Sequence, residues 1–139
     1  MNQAFLTPEP TSIDDGPPRV LVIEDDPVIR RLLRQRLHRS GLTVVDARCG
    51  EDAIELCQGA PSGFRLVVTD GVMPGIDGFE VARYFERESP ATRVILVSGF
   101  LHHFVSRPDI PENIDAFFEK PFRPEEIVAK VHELLESLA

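Results

Sequence analysis

No apolar run in the 139 residues approaches the ~20 needed to cross a bilayer, so no segment reads as a membrane span. The opening residues, MNQAFLTPEP, lack the basic and apolar regions of a secretory signal. Basic residues are outnumbered: 15 Lys and Arg face 23 Asp and Glu, for a formal charge of −8. That balance argues against direct binding to nucleic acid or an anionic membrane, since both require clustered cations. Cysteine is scarce. Cys49 and Cys57 are spaced as neither a metal knuckle nor a redox pair, and read as two half-buried thiols in a reducing compartment. There is no internal repeat, and no low-complexity stretch beyond the first 18 residues. The expected location is cytoplasmic.

What is present is an ordinary globular composition, 42% hydrophobic and 27% charged, in a length that suits one core. Residues 1–18 hold four prolines, three acids and no base, and read as a flexible acidic leader, leaving 19–139 as the domain. From Arg19 the pattern alternates. Short apolar runs at Arg19–Glu24, Leu42–Ala47, Arg65–Asp70, Arg93–Ser98 and Ile114–Glu119 suit buried parallel strands. Between them, helices are expected from Pro27 to about Ser40, with Asp26 as N-cap, Gly41 as stop, and Val28, Leu32, Leu33 and Leu37 inward. Others are expected at Glu51–Gln58 (ending at Gly59), Phe79–Glu88 and Pro124–Leu135. Residues 99–113 predict only a short or irregular helix, because Pro108 and Pro111 interrupt it. Five strands alternating with about five helices mean a doubly wound α/β domain.

Ligands of such sheets bind beyond the carboxyl ends of the strands. Those ends carry Glu24, Asp25 and Asp26 after strand one, Asp70 after strand three, Ser98 after strand four and Lys120 after strand five. If strands one and three adjoin, three carboxylates meet, and they cannot all stay charged without protons or a hard cation. Oxygen donors on short strand ends suit Mg²⁺. Lys120 adds a second positive charge and Ser98 a hydroxyl donor, completing a phosphoryl-acceptor set. Asp26 alone is explained by its capping role, and His102 and His103 read as surface residues. Leu101 and Phe104 read as packing on the sheet.

The segments VLVIEDDP (20–27), LVVTDGVMPGIDGFE (66–80), VILVSGF (94–100) and FFEKPF (117–122) resemble the receiver domain of two-component response regulators, the family that includes the single-domain chemotaxis regulator. The resemblance covers residues 19–138. It implies a flavodoxin-like five-stranded parallel sheet of order 2-1-3-4-5. It also implies phosphorylation of Asp70, with Mg²⁺ held by Asp25, Asp70, the Val72 carbonyl and, through water, Glu24. It further implies a catalytic Lys120, a switch formed by Ser98 and Phe117, and a cis Lys120–Pro121 bond. The implied partners are a sensor histidine kinase or histidine phosphotransfer protein, and a downstream target on the helix 4–strand 5–helix 5 face.

Two positions depart from the fast chemotaxis type. Val72 and Phe100, where the family tunes water's access to the phosphoryl group, are both apolar and predict a longer-lived phosphate. With no output segment after Ala139, the expectation is a stand-alone shuttle or adaptor, or a piece of a longer chain. The rival readings are a receiver-like interaction module that works without phosphorylation, an aspartyl-nucleophile phosphatase and a mononucleotide binder. The phosphatase would need a second Asp where Val72 stands. The nucleotide binder would need a Ser/Thr/Gly-rich loop where Glu24-Asp25-Asp26 stands.

Overall fold

In the computed structural model, residues 18–58, 60 and 63–137 are described. The expected leader, apart from Pro18, and the expected helix stop at Gly59 lie outside them. The elements run β1 (Arg19–Ile23), α1 (Pro27–Arg39), β2 (Thr43–Ala47), α2 (Gly50–Cys57), β3 (Leu66–Asp70), α3 (Gly78–Glu88), β4 (Arg93–Ser98), α4 (Leu101–Val105), β5 (Ile114–Glu119) and α5 (Pro124–Ser137). The strands form one parallel sheet of order β2-β1-β3-β4-β5. The strand order reverses between β1 and β3, which opens a crevice above their carboxyl ends.

Alternation along the central strands feeds both faces. Val20, Val22, Leu66, Val68, Ile95 and Val97 pack with Leu33 and Leu37 of α1 and Ile127, Val131 and Leu135 of α5. Leu21, Ile23, Val67 and Val94 pack on the other face with Ala53 and Cys57 of α2 and Val81, Ala82 and Phe85 of α3. A third, smaller cluster joins Phe79, Leu96 and Phe104, with Leu101 and Phe117 packed against it.

Helix boundaries follow local chemistry. The Asp26 side chain accepts from the amides of Val28 and Ile29 at 2.9 and 3.3 Å, and Pro27 opens α1. Gly41, at φ 102°, closes it, with the Leu42 amide reaching back to the Leu37 carbonyl. One expectation fails here. Val28 is 74% exposed, and Ile29 takes the inward place. The row that faces the sheet runs Ile29–Leu33–Leu37 at four-residue steps, and Val28 lies off it in the first turn. At α2 the Cys49 thiol serves as N-cap, accepting from the Asp52 amide at 3.4 Å, so the helix starts one residue earlier than expected. The expected brevity of α4 holds: it has five residues and no side-chain cap, and the chain turns away before Pro108.

Candidate functional site

Three strand ends bring carboxylates together. Among the described residues, ligand atoms of Glu24, Asp25 and Asp70 all lie within 4.8 Å of one another. Glu24 and Asp70 are buried at 2% and 5% exposure, whereas Asp25 is exposed. Lys120, from the end of β5, bridges the buried pair: Nζ is 2.9 Å from Glu24 Oε1 and 3.2 Å from Asp70 Oδ2. The Lys120–Pro121 bond is cis, as expected. The Lys120 amide donates to the Ser98 carbonyl at 3.0 Å, tying the β5 end to the β4 end.

The electrostatics follow from crowding. Burial, reinforced by the Glu24 charge, pushes the Asp70 carboxyl up to about 7, against the pull of Lys120. Burial works to lower Lys120. The hydrogen bond with Glu24 and the charges of Asp70 and Glu24 outweigh that effect and raise it above the ordinary lysine value. The carboxylates thus hold more negative charge than one ammonium compensates. Mg²⁺ takes oxygen ligands at about 2.0–2.1 Å, so opposite ligands sit about 4 Å apart. An all-oxygen set spread over no more than 4.8 Å suits that ion.

The walls are built from glycine and backbone. A side chain at Gly71 would meet the Phe104 ring at 2.7 Å, and one at Gly78 would meet the Asp70 carbonyl at 2.8 Å. The Gly78 amide donates to the Gly71 carbonyl at 2.8 Å and closes the base of the 71–77 loop. Ser98 is fully buried, and its Oγ accepts from the Phe100 amide at 2.9 Å, leaving the hydroxyl hydrogen for another acceptor. In register, Asp70 sits opposite Val97, so Ser98 lies one residue beyond it. The side chains of Val72 and Phe100 are exposed at 47% and 60%; with His102 and His103 they line a shallow apolar depression of about 350 Å³. Phe117 stands apart from the carboxylates, half-buried against Phe79, Leu96 and Phe104.

Sequence reasoning missed several supports. Arg30 donates to the Glu24 carbonyl at 2.9 Å and pairs with Asp46 at 3.2 Å, fixing the backbone under Glu24. Gly71 is a further support, and its place directly after a strand-end acid is the signal in the sequence for the close approach of Phe104. Glu24, expected to hold a metal-bound water, also binds Lys120 directly and accepts from the Asp26 amide at 3.1 Å.

The family profile described as response regulator receiver domain matches residues 20–132. The chain belongs to this family. This receiver domain is 35% identical over 117 residues to the transcriptional regulatory protein ResD of Bacillus subtilis, covering 84% of this chain but only 48% of ResD. It thus spans about half the length of that relative. It is 34% identical over 118 residues to the response regulator receiver protein CpdR of Brucella abortus, covering 84% of this chain and 96% of CpdR. Among solved structures it resembles the response regulator TrrA of Thermotoga maritima in complex with Mg²⁺ and BeF, at 33% identity and TM-score 0.71, covering 84% of this chain and 98% of TrrA. The sheet order and helix count are those of the receiver fold. The domain is a signalling module rather than an enzyme in the ordinary sense. No helix among the described residues is long and apolar enough to cross a membrane.

Proposed function

We propose that this receiver domain accepts a phosphoryl group on Asp70 from a phosphohistidine of a sensor histidine kinase or histidine phosphotransfer protein. The observation that carries the reading is the cluster of Glu24, Asp25 and Asp70 bridged by Lys120. Asp25, Asp70, the Val72 carbonyl and, through water, Glu24 would hold Mg²⁺, which supplies charge neutralisation for the incoming phosphoryl oxygens. An Asp70 oxygen attacks phosphorus in line. The phosphorus–nitrogen bond to imidazole breaks as the new phosphorus–oxygen bond forms, giving an acyl phosphate. Lys120 is already within 3.2 Å of Asp70 and pairs with the transferred oxygens. The Ser98 hydroxyl then donates to one of them, and Phe117 turns toward the space vacated.

That movement biases the α4–β5–α5 surface, where a downstream protein docks. Val72 and Phe100 present apolar surface at the mouth, so water attacks the acyl phosphate slowly. A half-life of seconds with metal present and no phosphatase would remove that part of the reading. The domain works in the cytoplasm, without direct contact with nucleic acid.

The decisive test is incubation with a small-molecule phosphodonor, with and without Mg²⁺, followed by intact mass, beside Asp70→Asn. The expected result is one phosphate that requires Mg²⁺ and is lost in the variant. A folded, Mg²⁺-binding protein that takes no phosphate overturns the proposal in favour of a phosphorylation-independent interaction module.

A further inference from the structure

The β3–α3 loop, residues 71–77, carries Val72 and forms one side of the site. Its base is closed by the Gly78–Gly71 bond, and its end by the box in which Asp77 and Glu80 cap one another's amides at 2.9 Å. Its middle is held from outside. Glu51, in the first turn of α2, accepts from the Ile76 amide at 2.9 Å. The surroundings are shaped around that bond. Gly75 has φ 87°, and the Glu51 carboxylate occupies the direction in which a side chain of residue 75 would project. Beneath it, a side chain on Gly50 would meet Ile76 Cγ1 at 2.5 Å. Ile76 itself packs against the buried cluster that holds Met73. An acid in the first turn of a helix commonly serves only its own helix end. This one instead accepts from a loop 25 residues away.

We propose that Glu51 is a positioning residue for phosphoryl acceptance, holding the Gly75–Ile76 peptide, and through it the run back to Val72, in the conformation the site uses. The inference rests on the reading of the site given above. Because Glu51 is exposed and touches neither Asp70 nor Lys120, it acts through the loop alone. Removing the acceptor frees the Ile76 amide to turn to water and lets the loop relax outward. Displacements of about 1 Å cost up to about 100-fold where alignment governs rate.

The experiment compares wild type, Glu51→Ala and Glu51→Gln by three measurements. These are hydrogen exchange at the Ile76 amide, the Mg²⁺ dependence of phosphorylation by a small-molecule donor, and thermal unfolding. Glu51→Ala should exchange at Ile76 about tenfold faster, require about tenfold more Mg²⁺ for half-maximal rate, and be phosphorylated about 5–20-fold more slowly, with unfolding little moved. Glu51→Gln keeps an acceptor oxygen and should stay within about twofold of wild type in all three. Wild-type rate and Mg²⁺ dependence in Glu51→Ala overturn the assignment, as does a Glu51→Gln protein as slow as Glu51→Ala. An unprotected Ile76 amide in the wild type overturns it too. A wild-type protein that takes no phosphate counts against the site reading instead, since Ile76 exchange reports the tie whether or not Asp70 reacts.

Discussion

Lys120 is the residue on which the site's charge balance turns. Its ammonium is the partner that Glu24 and Asp70 share, and both acids are almost wholly buried. Lys120→Ala therefore leaves two buried carboxyls without their cation, and should cost about 1–3 kcal/mol at neutral pH in denaturant unfolding while abolishing efficient phosphorylation. The opposite sign is expected for Asp70→Asn. Removing the acid whose ionisation burial and Glu24 oppose should stabilise the metal-free protein near pH 8, although it ends phosphate uptake. The glycines are equally position-bound. Gly71→Ala drives a methyl into the Phe104 ring, and a loss of about 1–3 kcal/mol in the same unfolding measurement is expected.

At the scale of elements, the segment after the short α4 is held by side-chain ion pairs. Arg83 of α3 reaches Asp109 at 2.7 Å, and Arg107 grips the same carboxylate at 2.8 Å. Both guanidiniums lie over the Phe79 ring, at 5.6 and 4.6 Å, and Phe79 packs against Phe104 with centroids 5.0 Å apart. The loop after α4 is thereby tied to α3. Asp109→Ala should speed hydrogen exchange over residues 106–112 with little change in global unfolding, because the clamp is solvent-facing. Unchanged exchange there would mean that apolar packing alone holds the segment. On β5, an irregularity in pairing opposite Val94 and Ile95 sets Ala116 and Phe118 toward α1 and α5, and Phe117 toward α3 and α4. That local step decides which phenylalanine packs beside α3 and α4.

For the whole molecule, the carboxyl cluster couples stability to pH and to metal. The Asp70 value stands raised to about 7, above its ordinary 3.8, so between those limits the native state holds a proton that the unfolded chain has lost. The contribution is full at low pH and disappears as pH rises through about 7. The difference in unfolding free energy between wild type and Asp70→Asn should therefore turn against the wild type from about pH 4 to about pH 7 without metal. Added Mg²⁺ should restore the wild type most strongly at the higher pH, and a pH-independent difference would remove Asp70 as the cause.

How much of this was legible beforehand depends on the range of the forces involved. Alternating apolar runs, the Asp26-Pro27 helix start, the Gly41 stop and the acids at strand ends are local facts, because backbone sterics, capping and burial period act over a few residues. They were enough to place Glu24, Asp25, Asp70, Ser98 and Lys120 at one edge of a doubly wound sheet, and four short segments in order were enough for the family. The tertiary structure alone decided what those residues touch: that Lys120 bridges Glu24 and Asp70, that Arg30 ties Glu24's backbone, and that Ile29 rather than Val28 faces the sheet. It also decided that Glu51 reaches a loop 25 residues ahead, and that Gly71 lies under Phe104. Each is a contact between distant segments, where close packing and charge neutralisation are settled by which surfaces meet, and a linear pattern carries no record of that meeting.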